Sequence, residues 1–139
     1  MEKIVLLDGA VFIPSLLPVV MRNRDALQLT DVQLERLYSW RKNHYVEMVN
    51  IMNAIIEKKV QFSVESLSNT TSEAHLLEFQ NEIHQLQHEL LKIRLSCRAI
   101  LVETFSDEQW ENFEFIVSDD PKLASLFSQA QRVSLTHTH

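Results

Sequence analysis

The chain of 139 residues holds one glycine, one cysteine and three prolines, and each scarcity removes a class of structure. Glycine supplies the positive φ of tight hairpin turns, so Gly9 alone argues against a hairpin-rich β-fold. It also excludes a Walker phosphate loop, a GxGxxG dinucleotide loop and an EF-hand loop. Cys97 alone cannot form an intrachain disulfide, a CxxC redox pair or a cysteine-rich zinc finger. Basic charge is short as well: 13 Lys and Arg against 19 Asp and Glu give a formal charge of −6. That balance, with no basic stripe, argues against nucleic acid as a partner. Apolar length is lacking too. The run over 10–21 is broken by Pro14 and Pro18 and falls short of the roughly 20 residues that span a bilayer, so no membrane insertion is expected. Met1-Glu2-Lys3 is a poor positive region and Asp8 interrupts the apolar stretch behind it, so the start does not read as a signal peptide.

What is present is helical. With 45% hydrophobic and 23% charged residues, the composition is that of a folded chain rather than a disordered one. The length predicts one domain over 1–139, with a core over 15–131 and with 1–13 and 134–139 unassigned. Apolar residues recur at Leu76, Phe79, Ile83, Leu86, Leu90, Ile93, Cys97 and Ile100. The steps alternate three and four, an a/d heptad pattern that predicts a long helix with a coiled-coil-like seam. Upstream, Leu34, Leu37, Tyr38, Tyr45, Met48, Val49, Met52, Ile55 and Ile56 fit a second long helix with a wider apolar face. Between them, 63–72 is rich in Ser, Asn and Thr, which is loop composition. Two long helices joined by a short polar loop predict an antiparallel hairpin, and the fold class is all-α with shorter flanking helices. One flank is a short helix within 14–27 that packs through Leu16, Leu17, Val20 and Leu27. The other follows Trp110 through Phe113, Ile116 and Val117, before Asp120 and Pro121 start a last amphipathic segment with Leu123, Leu126 and Phe127.

Two helix starts share one chemistry. In Leu29-Thr30-Asp31-Val32-Gln33-Leu34, the Thr30 hydroxyl accepts from the Gln33 N–H and the Gln33 side chain reaches back to the Thr30 N–H. Leu29 staples to Leu34. Phe105-Ser106-Asp107-Glu108-Gln109-Trp110 repeats the pattern, with Ser106 as cap, Gln109 closing the box and Phe105 stapled to Trp110. Each cap is worth about 1 kcal/mol.

These starts also resemble a family signature. Leu29-Thr30-Asp31-Val32-Gln33 matches the LTxxQ motif, and Phe105-Ser106-Asp107-Glu108-Gln109 is similar to its second copy. The chain resembles the Spy/CpxP family of periplasmic helical stress proteins, which includes ZraP- and CnrX-like metal-responsive members. The likeness runs from Leu16 to Val117. It implies a helical hairpin, usually dimeric, that either holds unfolded client chains without ATP or senses metal, alone or through a sensor or regulator protein. It implies a periplasmic location, whereas a native start at Met1 implies the cytoplasm. The family's chaperones present a basic cradle; this chain is acidic.

Candidate sites follow from spacing. His84 and His88 stand at i and i+4 on one helix face, a spacing that can chelate Zn²⁺, Ni²⁺ or Cu²⁺, or simply leave two solvated side chains. Gln85 occupies the position where HExxH needs glutamate, so metalloprotease chemistry is disfavoured. Further ligands would be His44, Glu78 or Glu82, and the C-terminal His137 and His139 form a second thin candidate. No cofactor is required by any motif. In the heptad frame Leu77, Leu91, Leu95 and Val102 fall opposite the seam, where terminal helices, a second copy or a client would have to cover them. Met48 and Met52 read either as core or as part of that client or dimer surface. Trp40, Tyr38 and Tyr45 read as core or dimer-seam aromatics rather than a recognition surface. Cys97 reads as a small buried hydrophobe. Ser39, Ser96 and Ser125 have no activating neighbour, and no catalytic constellation emerges, so the expectation is a binding protein and not an enzyme.

Overall fold

The computed structural model describes residues 15–121, which are helix and turn with no strand. Four helices are seen: α1 (Leu17–Arg22), α2 (Asp31–Ser66), α3 (Glu73–Thr104) and α4 (Asp107–Asp119). At 1.5 Å per residue, α2 and α3 are rods of about 54 and 48 Å. They run antiparallel. Gln33 reaches the Thr104 carbonyl at 2.9 Å, Trp40 Nε1 donates to Ser96 Oγ at 3.1 Å, and Lys58 Nζ meets Glu82 Oε2 at 2.7 Å.

Capping sets where the helices start. Thr30 and Ser106 both close full capping boxes, with extended backbone at the cap residue. The third start is Ser72, whose hydroxyl accepts from the His75 N–H at 3.1 Å. Position N3 is there a histidine, so no reciprocal bond forms and the pattern is easy to miss. At the other end α2 continues through Ser66, beyond the loop start expected at Ser63. The reason is local: Ser63 Oγ donates to the Lys59 carbonyl and Ser66 Oγ to the Ser63 carbonyl. Hydroxyls that bond back to the preceding turn let serine stay helical.

Two clusters make the interior. At the base of the rods, Leu17, Val19, Val20, Leu27, Leu37, Cys97, Leu101, Phe105, Phe113 and Val117 come together from all four helices and their links. The Phe105 staple is part of this cluster, 6.1 Å from the Trp110 ring and 5.7 Å from Phe113 in an edge-on contact. Further along, Ile51, Ile55, Leu90 and Ile93 form a smaller cluster between α2 and α3 only. Trp40 packs against both.

The a/d seam holds in its middle and shifts at the base. Ile83, Leu90, Ile93 and Cys97 are buried, whereas Leu76, Phe79, Leu86 and Ile100 are half-buried. Near the base, burial moves to the adjacent row of Arg94, Leu101 and Thr104. A two-helix heptad cannot anticipate this, because at the base α3 packs against α1 and α4 as well as α2. The segment with Leu123, Leu126 and Phe127 lies outside the described residues.

Candidate functional site

The two capping boxes meet. Gln33 Nε2 donates to Gln109 Oε1 at 2.7 Å and Gln109 Nε2 donates back to Gln33 Oε1 at 3.0 Å. Each carbonyl oxygen also accepts from its own cap, Thr30 N–H and Ser106 N–H, both at 2.9 Å. The spare donors reach neighbouring backbone: Gln33 bonds the Thr104 carbonyl, and Gln109 bonds those of Leu27 and Gln28 at 3.3 Å each. Gln28 is the only non-glycine residue with positive φ among the described residues, at 54°. Its left-handed turn contributes one of the carbonyls that meet Gln109. Asn112 Nδ2 adds a bond to the Ala26 carbonyl at 3.1 Å, and Arg22 pairs with Asp120 at 3.3 Å. Thr30, Gln33, Ser106 and Gln109 therefore do more than start two helices. They tie α2, α3, α4 and the turn after α1 into one polar knot beside the base cluster. The sequence shows each box; the reciprocal pair needs the three-dimensional meeting of residues 76 apart.

Cys97 lines a cleft of about 220 Å³ together with Leu16, Met21, Trp40, Arg41 and Met48. Burial pushes its thiol up to about 11, against the opposing pulls of the Leu17 backbone and the Arg94 charge. A thiol so protonated and enclosed is a poor nucleophile.

The metal candidates separate. His84 and His88 are exposed on the outer face of α3, with His84 Nε2 2.8 Å from Gln80 Nε2. His44 does not join them. Its ring stacks on Trp40, one turn back on the same helix, at 4.6 Å. Glu82 is engaged by Lys58. Among the described residues no group of three or more His, Cys, Asp or Glu side chains is placed to hold a metal ion. His137 and His139 lie outside the described residues.

The apolar candidates divide as well. Leu77 and Leu95 are exposed, as is Val102, so α1 and α4 leave this face open. Met48, Met52 and Leu91 are instead half-buried against the Ile51–Leu90 cluster. A b position can be drawn inward here because two bare helices leave the seam's edges open. Of the aromatic trio only Trp40 packs on the core, half-buried against both clusters; Tyr38 and Tyr45 are exposed, with Arg41 5.2 Å above the Tyr45 ring. Among the described residues no helix is long and apolar enough to cross a membrane. In comparisons with protein-family models, curated proteins and solved structures, nothing matches this chain.

Proposed function

We propose that this chain is a non-catalytic stress-response protein of the Spy/CpxP type, which binds partly unfolded chains reversibly through apolar helical surface and without ATP. The observation that carries the reading is the pair of capping boxes joined through Gln33 and Gln109. It gives the two LTxxQ-like pentads one shared structural job at the base of a helical hairpin. Apolar side chains left on the rods supply the binding surface: Leu77, Leu95 and Val102 on α3, and Val46, Val60 and Val64 on α2. The cleft under α1 is smaller than a drug-sized pocket of roughly 300–1,000 Å³ and suits one or two apolar side chains of a client. A periplasmic location and a homodimer are part of this reading, which does not require the two copies to pair without a metal ion. The test is aggregation of a denatured client followed by light scattering. The full chain suppresses scattering at stoichiometric excess, and a Leu77→Ser/Leu95→Ser/Val102→Ser variant suppresses it less. Scattering curves equal with and without the protein reject the reading.

A second reading is favoured by the exposed His84–His88 pair: a heavy-metal sensor or scavenger that binds Zn²⁺, Ni²⁺ or Cu²⁺. Isothermal titration checks it. Binding at micromolar metal that is lost in His84→Ala/His88→Ala supports it, and binding unchanged by those substitutions removes the pair.

A further inference from the structure

We infer that the outer face of α3 is a metal-locked contact between two copies of this chain, in which His84 and His88 of each copy give four imidazoles to one tetrahedral ion. The inference rests on the metal-binding reading and adds its ligand set, its stoichiometry and the partner.

One stripe carries both features. Leu77, Asn81, His84, His88, Leu91 and Leu95 follow one another in steps of four and three along a single line of α3, and all but the half-buried Leu91 are exposed. Residues four apart on a helix stand about 5–6 Å from each other at Cβ, so the two imidazoles can grip one ion. Two ligands leave a tetrahedral Zn²⁺ half-coordinated, and no third ligand stands near among the described residues. That leaves two positions on the ion to fill. A second copy fills them by symmetry, since a two-fold contact presents the same patch from both sides.

The stripe also fits itself. In an antiparallel pairing with the two-fold axis level with residue 86, His84 of one copy faces His88 of the other. The same register sets Leu77 opposite Leu95 and Asn81 opposite Leu91. Sliding one copy by a heptad in either direction sets histidine against leucine or asparagine and separates the two imidazole pairs. Apolar contact by itself is too sparse to hold this face. Two exposed leucines fall well short of the roughly 800 Å² per partner of a stable interface, and the copies repel, each carrying a formal charge of −6. A divalent cation on the axis adds bonds and opposite charge where both are needed.

Sedimentation velocity and zinc titration calorimetry of the full chain decide the matter. In EDTA the chain sediments as a 16.2 kDa monomer. With Zn²⁺ it is expected to double in mass and to saturate at half an equivalent per chain. His84→Ala/His88→Ala, which changes only exposed side chains, stays monomeric at the same zinc concentration with unchanged circular dichroism. Leu77→Asp and Leu95→Lys each weaken the zinc dimer, and the two together restore it, since residue 77 faces residue 95. Zinc bound by the histidines at one equivalent per chain with no change in mass overturns the inference and leaves the metal-binding reading standing. A dimer that persists in EDTA and in the double histidine variant overturns it too, as does a Leu77→Asp/Leu95→Lys pair no better than its weaker member. Absence of zinc binding by the native chain removes both.

Discussion

The base and the tip of the two long rods are built differently. At the base, four helices share one apolar cluster, and a glutamine pair with its caps laces their ends. Toward the tip only α2 and α3 remain, joined by a thin seam and by surface contacts such as Lys58–Glu82 and His75–Glu65 at 2.9 Å. There Val60, Val64 and Leu67 lie in water, Leu67 at 88% exposure. Stability in such a molecule is graded, because local opening costs least where buried contacts are fewest. A helical holder of unfolded chains would benefit from that grading: the base sets the geometry and the tip adapts.

The largest effect expected is at the base. Leu101 is fully buried among residues from several elements, which cannot all move to refill the space. Leu101→Ala is expected to cost about 3–5 kcal/mol in chemical denaturation. Ile83→Ala, in the two-helix seam, is expected to cost about 2 kcal/mol, because the rods can close on the gap. Equal costs at the two sites would erase the contrast. Hydrogen exchange sharpens it: amides over 55–66 and 73–83 should exchange through local opening, well before those over 31–40 and 97–117.

Next comes the pH response of Cys97. Its folded thiol lies at about 11 against 9.0 for the free group. Folding therefore holds a proton that the unfolded chain releases first. The contribution is intact below about pH 9 and is lost as pH rises toward about 11. Between about pH 9 and 11 the native chain should lose more stability than Cys97→Ala does, the difference being the thiol's share. Smallest is the tip ion pair. Both partners are substantially exposed, and Lys58→Ala should cost under about 0.5 kcal/mol.

Much of this architecture is legible in the sequence because its signals are local. The heptad run from Leu76 to Ile100 defines α3, and the hydroxyl-to-glutamine spacing at Thr30 and Ser106 marks where α2 and α4 begin. What the residues hide are meetings between distant segments. Nothing near Gln33 announces Gln109, and nothing near Arg94 or Leu101 announces that α1 and α4 will turn that flank of α3 inward. The same holds for the sites. The His84–His88 pair is visible as spacing, but His44 reads as its neighbour until its stacking on Trp40 is seen. Leu91 reads as surface, and Met48 and Met52 as either core or surface, until the seam draws them in. The Ser63–Ser66 turn misleads for a smaller reason, since serine composition suggests a loop while its hydroxyls bond back into the helix.

The central claim is that the two capping boxes act as one unit through Gln33 and Gln109. A double-mutant cycle with Gln33→Ala, Gln109→Ala and their combination, read by urea denaturation, tests it most directly. Each single change should cost about 1–3 kcal/mol, since it removes a cap and strands its partner's amide. The double change should cost less than their sum by at least about 1 kcal/mol. Strict additivity would mean that the boxes are two separate caps, and the account of a laced base would be contradicted.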